Sequence, residues 1–178
     1  MGITEYDQEY IRFAKGNKEV LPVFAVVKAL MSPYLPEVVI EHVGSTAVPG
    51  LENLNVIDLL LISSRSSTQY ISDVMENIGY QKNANDHHDY FTPDYVGAIT
   101  YKGQIFNLHI FISAKEEYLP DQMLKVKEKL LHSDKLKHLF NEFTSEAKRS
   151  GRTDLLFYNK KIRKFLNRKL QVNIPKAY

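Results

Sequence analysis

The sequence predicts an α+β domain: a mixed β-sheet with flanking helices over roughly residues 1–114, then a helical part over roughly residues 115–178. Three observations predict it. Val56–Ile62 is a continuous apolar run broken by one acid, Asp58, the pattern of a strand buried on both faces. Val96–Tyr101 and Gln104–Ile112 read as two strands joined at Lys102-Gly103 in a hairpin. From Pro120 onward, apolar residues recur at helical spacing within lysine-rich segments. No repeat, low-complexity tract or linker divides the 178 residues, so they read as one domain with a sizeable core.

Residues 5 to about 31 carry a helical pattern in two parts, broken at Gly16-Asn17, with Pro22 in the first turn of the second part. Leu21, Phe24, Val27 and Ala29-Leu30 supply its apolar face, and Pro33 and Pro36 end it. Val38–Val43 is the first core strand, with Ile40 and His42 on one face and Glu41 and Val43 on the other. Ser66–Ile78 reads as a helix with Ile71, Val74, Met75 and Ile78 inward and Gly79 as its stop. Asn83 to Asp89 is a polar loop, where His87 and His88 between Asp86 and Asp89 have the donor types of a metal site. In the strand Gln104–Ile112, Ile105, Asn107, His109 and Phe111 share a face. Pro120 opens a helix through Leu131. Ser133 caps a second, which ends at Gly151 and turns Leu136, Leu139, Phe140, Phe143 and Ala147 inward. Thr153 caps a third, with its stripe at Leu155, Tyr158, Ile162, Phe165, Leu166 and Leu170.

The chemistry gathers between Glu41 and Ile62. Gly44-Ser45-Thr46 follows the apolar run Val38-Val39-Ile40, so small hydrogen-bonding residues end a strand. Such a turn can aim backbone N–H groups at an anion, and a helix starting there adds its dipole. Asp58 is costly in a buried strand unless it meets a metal or a donor. His42 adjoins the turn and is placed to orient a phosphate or a metal-bound carboxylate. His109 reaches Asp58 if its strand is the neighbour in the sheet, as a metal ligand or a proton-transfer group. Each has a plainer reading beside it: a turn that only turns, and buried polar groups that only bond to one another.

His42-Val-Gly-Ser-Thr-Ala-Val-Pro-Gly-Leu51 followed by Val56-Ile-Asp58 resembles the signature of the GrpB family. That family is similar to the nucleotidyltransferase superfamily, in which a Gly-Ser turn ends the first strand and a carboxylate stands on the next. The twelve residues between Ser45 and Asp58 fit that pattern. The resemblance extends more weakly from Tyr6-Asp7-Gln8-Glu9-Tyr10 to Tyr158 and Phe165. It implies a nucleotidyltransferase-like fold and a site for a nucleotide or another phosphorylated ligand. Gly44, Ser45, Thr46 and His42 would meet the phosphate, and Asp58 and His109 would hold Mg²⁺, Mn²⁺ or another divalent ion and serve any catalysis. The chain departs from the pattern at several places. Active nucleotidyltransferases carry a second acid two positions after the first, where this chain has Leu60. The family's lysine before the aspartate strand is absent from Glu52-Asn53-Leu54-Asn55, and Asn107 replaces the first histidine of its His-Leu-His-Val-Phe string. Its arginine before the aromatic pair and its lysine near the C-terminus fall on His88-Asp89 and Ile162.

The bulk properties narrow the class. An apolar content of 44% and a charged content of 25% suit a soluble globular protein. There is no cysteine, which excludes disulfides and thiolate metal sites. No signal-peptide pattern and no spanning apolar stretch is visible, so a cytoplasmic location is expected. Residues 1–114 carry a net charge of −6 and residues 115–178 one of +8. Three functions stand against these features. The first is a nucleotide-binding protein that uses a divalent metal and can transfer a nucleotidyl group. The second is a catalytically inactive ligand-binding or regulatory module that keeps the fold. The third is a nucleic-acid binder acting through the basic C-terminal helices.

Overall fold

The computed structural model describes residues 2–7, 14–16, 18–84, 90–149 and 155–172. The chain runs β1 (Ala14–Lys15), α1 (Val20–Met31), β2 (Val39–Val43), a 3₁₀ turn (Ser45–Ala47), β3 (Glu52–Asn53) and β4 (Val56–Ser63). A second 3₁₀ turn (Arg65–Ser67) leads into α2 (Thr68–Asn77), β5 (Gln81–Lys82), β6 (Tyr95–Tyr101) and β7 (Gln104–Ala114). Three helices complete it: α3 (Tyr118–Leu131), α4 (Asp134–Arg149) and α5 (Leu155–Lys169). The main sheet has the order β2-β4-β7-β6-β5, and β1 pairs with β3 apart from it. β4 runs parallel to β7 and antiparallel to β2, which makes the sheet mixed as the sequence predicts.

β4 is buried on both faces because helices cover both. Leu59 and Leu61 join Val20, Val23, Val27 and Met31 of α1 and Ile71 and Met75 of α2 on one side. Leu60 points the other way, against Val43, Phe111 and Met123 of α3. All three leucines are wholly buried, each worth about 2–3 kcal/mol of apolar transfer. α4 and α5 continue the second layer with Phe140, Ile162, Phe165 and Leu166. Ser133 caps α4, its hydroxyl accepting from the Leu136 N–H at 3.3 Å. Lys102 and Gly103 both have positive φ, 49° and 76°, as a two-residue hairpin turn requires.

Two expectations are corrected at the N-terminus. Of the first half of the predicted helix, residues 8–13 lie outside the described residues; residues 5–7 are not helical, Ala14–Lys15 is a strand, and just before them Thr4 makes a β-bridge to Ala98. β5 pairs only with Tyr95 and Val96, and Thr4 satisfies the next stretch of the β6 edge through two backbone bonds of 2.8 and 2.9 Å. α1 forms where expected, but with another face inward. Val20, Val23, Val27 and Met31 are buried, while Leu21 is 54% exposed. The segment is apolar all round, so its periodicity does not single out a face. Gly151 and Thr153 lie outside the described residues, as does the segment Asp86–Asp89. Among the described residues no helix is long and apolar enough to cross a membrane.

Asn141 and Ser145 tie the helical layer to the segment after the first 3₁₀ turn. Asn141 donates to the Gly50 carbonyl at 2.9 Å and accepts from the Glu52 N–H at 2.8 Å. Ser145 adds a bond of 2.9 Å to the Glu52 carboxylate. Asn141→Ala should therefore lower the unfolding free energy by about 1 kcal/mol. The measurement is a urea titration, where the midpoint falls and the slope stays unchanged.

Candidate functional site

Strand register builds the site. Asp58 pairs with Val43 on one side and with His109 on the other, so the ends of β2, β4 and β7 converge. Gly44 follows Val43 with φ 72° and ψ −171°. A Cβ on Gly44 would lie 2.0 Å from Asp58 Oδ2, well inside contact distance. Glycine is thus required twice, for its backbone conformation and for the carboxylate that presses against it. The turn that follows is only three residues long. Ala47 and Val48 donate back to the Gly44 and Ser45 carbonyls within it. The expected helix dipole at the turn is therefore absent, since no helix continues from it.

His109 is held at both ring nitrogens. Nδ1 lies 3.1 Å from Asp58 Oδ1, and Nε2 lies 3.0 Å from the Tyr6 hydroxyl. Burial, with the Asp58 charge behind it, pushes the Tyr6 hydroxyl up to about 12. It therefore keeps its proton and donates to Nε2, leaving Nδ1–H to donate to the carboxylate. Tyr6 also stacks on the imidazole, with ring centroids 5.6 Å apart. Asn107 secures this arrangement from two residues upstream on β7. Its amide donates to the Asp7 carbonyl at 2.7 Å and accepts from the Asp7 N–H at 3.3 Å.

A cavity of about 90 Å³ opens beside Asp58, between the sheet and the layer of α3, α4 and α5. Gly44, Ser45, Asp58 and His109 form its polar end. Val126, Leu130, Ile162 and Leu166 form its apolar roof, and Tyr90, Phe91, Phe111, Phe140 and Tyr158 add rings. Tyr158 makes side-chain hydrogen bonds with Ser45 and Thr144. Burial raises the Tyr90 and Tyr158 hydroxyls far above the usual tyrosine range, and the Asp58 charge adds to both. Among the described residues no lysine or arginine lines the cavity. The Asp58 side chain is 22% exposed, so its charge is presented to this space.

His42 and Thr46 belong to a different environment. Side chains alternate along β2, so His42 lies on the α1 side of the sheet, stacked on Phe24 at 4.8 Å. Thr46 donates to the Val56 carbonyl at 3.0 Å and accepts from His42 Nε2 at 3.0 Å. His42 Nδ1 is buried without a hydrogen-bond partner among the described residues. Burial pulls the His42 pKa down to about 4, against a smaller opposing effect of the Asp58 charge. The structure thus brings Gly44, Ser45, Asp58 and His109 together and sets His42 and Thr46 behind the turn.

A divalent ion is tested by this donor set. Among the described residues no three His, Cys, Asp or Glu side chains gather as a metal site. One carboxylate suffices for a Mg²⁺ or Mn²⁺ ion that keeps waters and takes phosphate oxygens from its ligand. It does not suffice for paired ions. The neighbouring position on that face is Leu60, wholly buried against Phe111 and Met123. The sequence reading missed Tyr6 as a partner of His109. The two are 103 residues apart, and no spacing rule links them.

The sequence matches the family described as GrpB protein over residues 1–171. It is 36% identical over 93 residues to UPF0157 protein BH1888 of Halalkalibacterium halodurans, an alignment covering 50% of this chain and 43% of that one. The matched part is thus less than half of that relative's length. In structure the chain is similar to the conserved protein GrpB from Enterococcus faecalis, with a TM-score of 0.64 at 17% identity. That match covers 90% of this chain and 98% of the other. It is also similar to Cid1 poly(U) polymerase, with a TM-score of 0.51 at 12% identity, over 83% of this chain and 43% of Cid1. At these identities the likeness is one of fold, and the fold is nucleotidyltransferase-like.

Two outcomes follow from the site's construction. Gly44→Ala should cost at least about 2 kcal/mol through φ strain and the displaced carboxylate, read as a lower urea midpoint. The unfolded His42 ring takes a proton near its ordinary pKa of 6.5, and the folded ring only near 4. Protons in that window therefore favour the unfolded chain. Its stabilising share is intact above about pH 6.5 and is lost as pH falls to 4, by up to about 3 kcal/mol. His42→Gln keeps a donor for Thr46 without a titrating ring. Urea titrations at pH 7, 5.5 and 4 should show a smaller acid loss in that variant.

Proposed function

The chain belongs to the GrpB protein family, and from the site it carries we propose that it binds a phosphorylated small molecule, nucleotides included, together with one divalent cation held by Asp58. The reading makes it a ligand-binding module on a nucleotidyltransferase-like fold, without transfer by paired ions. The observation that carries it is the contact of Gly44 with Asp58. With no side chain on Gly44, its backbone and the Asp58 carboxylate line the cavity side by side, so a phosphate and its cation can be met at one point. The lack of lysine and arginine on the cavity wall supports a ligand that arrives as its metal complex. When bound, the cation supplies charge neutralisation between phosphate and carboxylate. His109, with Tyr6 behind it, orients the Asp58 oxygen that would face it.

The departure at Leu60 supports binding over transfer. Two-ion transfer uses two carboxylates on one strand face, and here the second is a packed leucine. Structures of Cid1 include one with MgGTP bound, which makes nucleotides the first ligands to try. A nucleotide exceeds the 90 Å³ cavity, so one that binds there would place its phosphates at the polar end and extend beyond the cavity's mouth.

The test is a thermal-shift screen of inorganic phosphate, pyrophosphate and nucleoside mono-, di- and triphosphates, each with and without Mg²⁺ or Mn²⁺. The expected result is a rise in Tm of a few degrees that needs both metal and phosphate and disappears in Asp58→Asn. No rise with any combination overturns the reading. Metal-dependent release of pyrophosphate from a triphosphate overturns the assignment as a binding module.

A further inference from the structure

The cavity has a second character that phosphate chemistry does not use. Five of its lining side chains are aromatic, one is a carboxylate, and among the described residues none is a lysine or arginine. Tyr90 and Phe91 meet with centroids 5.0 Å apart and planes tilted by 60°, which makes a corner rather than a stack. An aromatic face is electron-rich and attracts a cation, and most strongly where water is excluded. The carboxylate's field extends through this space. Burial first, and the carboxylate's charge in addition, raise the pKa of Tyr6, Tyr90 and Tyr158, which come from three separate parts of the chain. Tyr90 and Tyr158, the two that line the cavity, stay protonated, so their rings are neutral walls rather than competing anions. His109 touches the carboxylate through one N–H and does not cancel its charge in the neutral form.

Size narrows the occupant. The volume of about 90 Å³ is roughly three water volumes and falls below the several hundred Å³ of pockets that enclose whole ligands. An apolar group alone would leave the carboxylate desolvated, and an anion would be repelled by it. A compact cation with a methylated surface satisfies both the rings and the charge.

We propose that this cavity is a binding site for an organic ammonium group, seated among Tyr90, Phe91 and Tyr158 and paired with Asp58. The occupant is a small quaternary or methylated amine, free or as the head of a larger molecule. This goes beyond the phosphate reading and stands without it, because the ammonium itself supplies the cation.

The experiment is calorimetric titration of the full chain with tetramethylammonium and with choline, in buffer free of phosphate, nucleotide and divalent metal. The control is the neutral isostere of choline, with carbon in place of nitrogen. Choline should bind at least about tenfold more tightly than its isostere. The binding should weaken about tenfold in Asp58→Asn and in Phe91→Leu, and persist in Tyr158→Phe, which keeps the ring. Equal affinity for choline and the isostere overturns the proposal, since the cavity is then merely apolar. Absence of binding by both cations also overturns it, as does full binding in Asp58→Asn. If a variant fails to fold, the comparison of choline with its isostere on the native chain decides alone. Failure here leaves metal-dependent nucleotide shifts intact, so the two readings fall separately.

Discussion

The site rests on one close approach, Gly44 against the carboxylate of Asp58. Both residues of that approach are placed by backbone pairing. β2 hands the chain to Gly44 at the register where Val43 faces Asp58, and β7 sets His109 on the opposite flank. A side chain at position 44 would occupy the place of Oδ2. Asp58 would then have to rotate away from His109 or distort its strand, and that strand carries three wholly buried leucines. The core and the site therefore share one constraint: the same β4 register that buries Leu59 and Leu61 aims Asp58 at the turn.

Among the described residues no lysine or arginine lines the cavity beside Asp58. Asp58 has an imidazole N–H as its partner, and the imidazole leans on a tyrosine hydroxyl. Hydrogen bonds of this kind fix the oxygen's direction and lower its desolvation cost, but they carry no net charge. Two cationic side chains stand near the cavity without lining it. Lys127 bonds to Glu41 at 3.2 Å, and Arg163 lies over the Phe91 ring at 5.0 Å. A molecule that enters the cavity meets a negative end and an apolar roof. Whether its positive charge is a metal ion bridging to phosphate or an ammonium of its own, the complementarity it must supply is the same.

How much of this was legible varies with the physics behind each feature. The strand holding Asp58, the hairpin at Lys102-Gly103 and the helical stripes of α4 and α5 are patterns of local periodicity and turn chemistry, and they read directly from the sequence. The Asp58–His109 pair needed one condition that a sequence does not contain, that β4 and β7 be neighbours. His42 and His109 looked alike as candidates, yet one residue of parity on β2 sends His42 to the Phe24 side. At the N-terminus, Ala14–Lys15 is a strand where the pattern reads as helix, because the periodicity does not register pairing with β3, and the bridge of Thr4 to the open edge of β6 is a tertiary demand of the same kind. Tyr6 could not have been found by spacing, since Asn107 and the bridge at Thr4 bring it to His109 from the far end of the chain.

Asn107 illustrates why a replaced residue is not simply a lost one. The resemblance marks its position as a histidine, and the change reads at first as a missing ligand. In the structure the amide grips both backbone groups of Asp7, a task that needs a donor and an acceptor side by side. A neutral imidazole has both, but its donor and acceptor point in diverging directions and do not face the N–H and C=O of one residue together. The substitution therefore exchanges a titratable group for a clamp, and the clamp holds Tyr6 against the remaining histidine. Leu60 is the opposite case: it is packed rather than bonded and brings no donor to the site. The two departures act in one direction, since each converts a position of possible chemistry into one that fixes Asp58 and its surroundings in place.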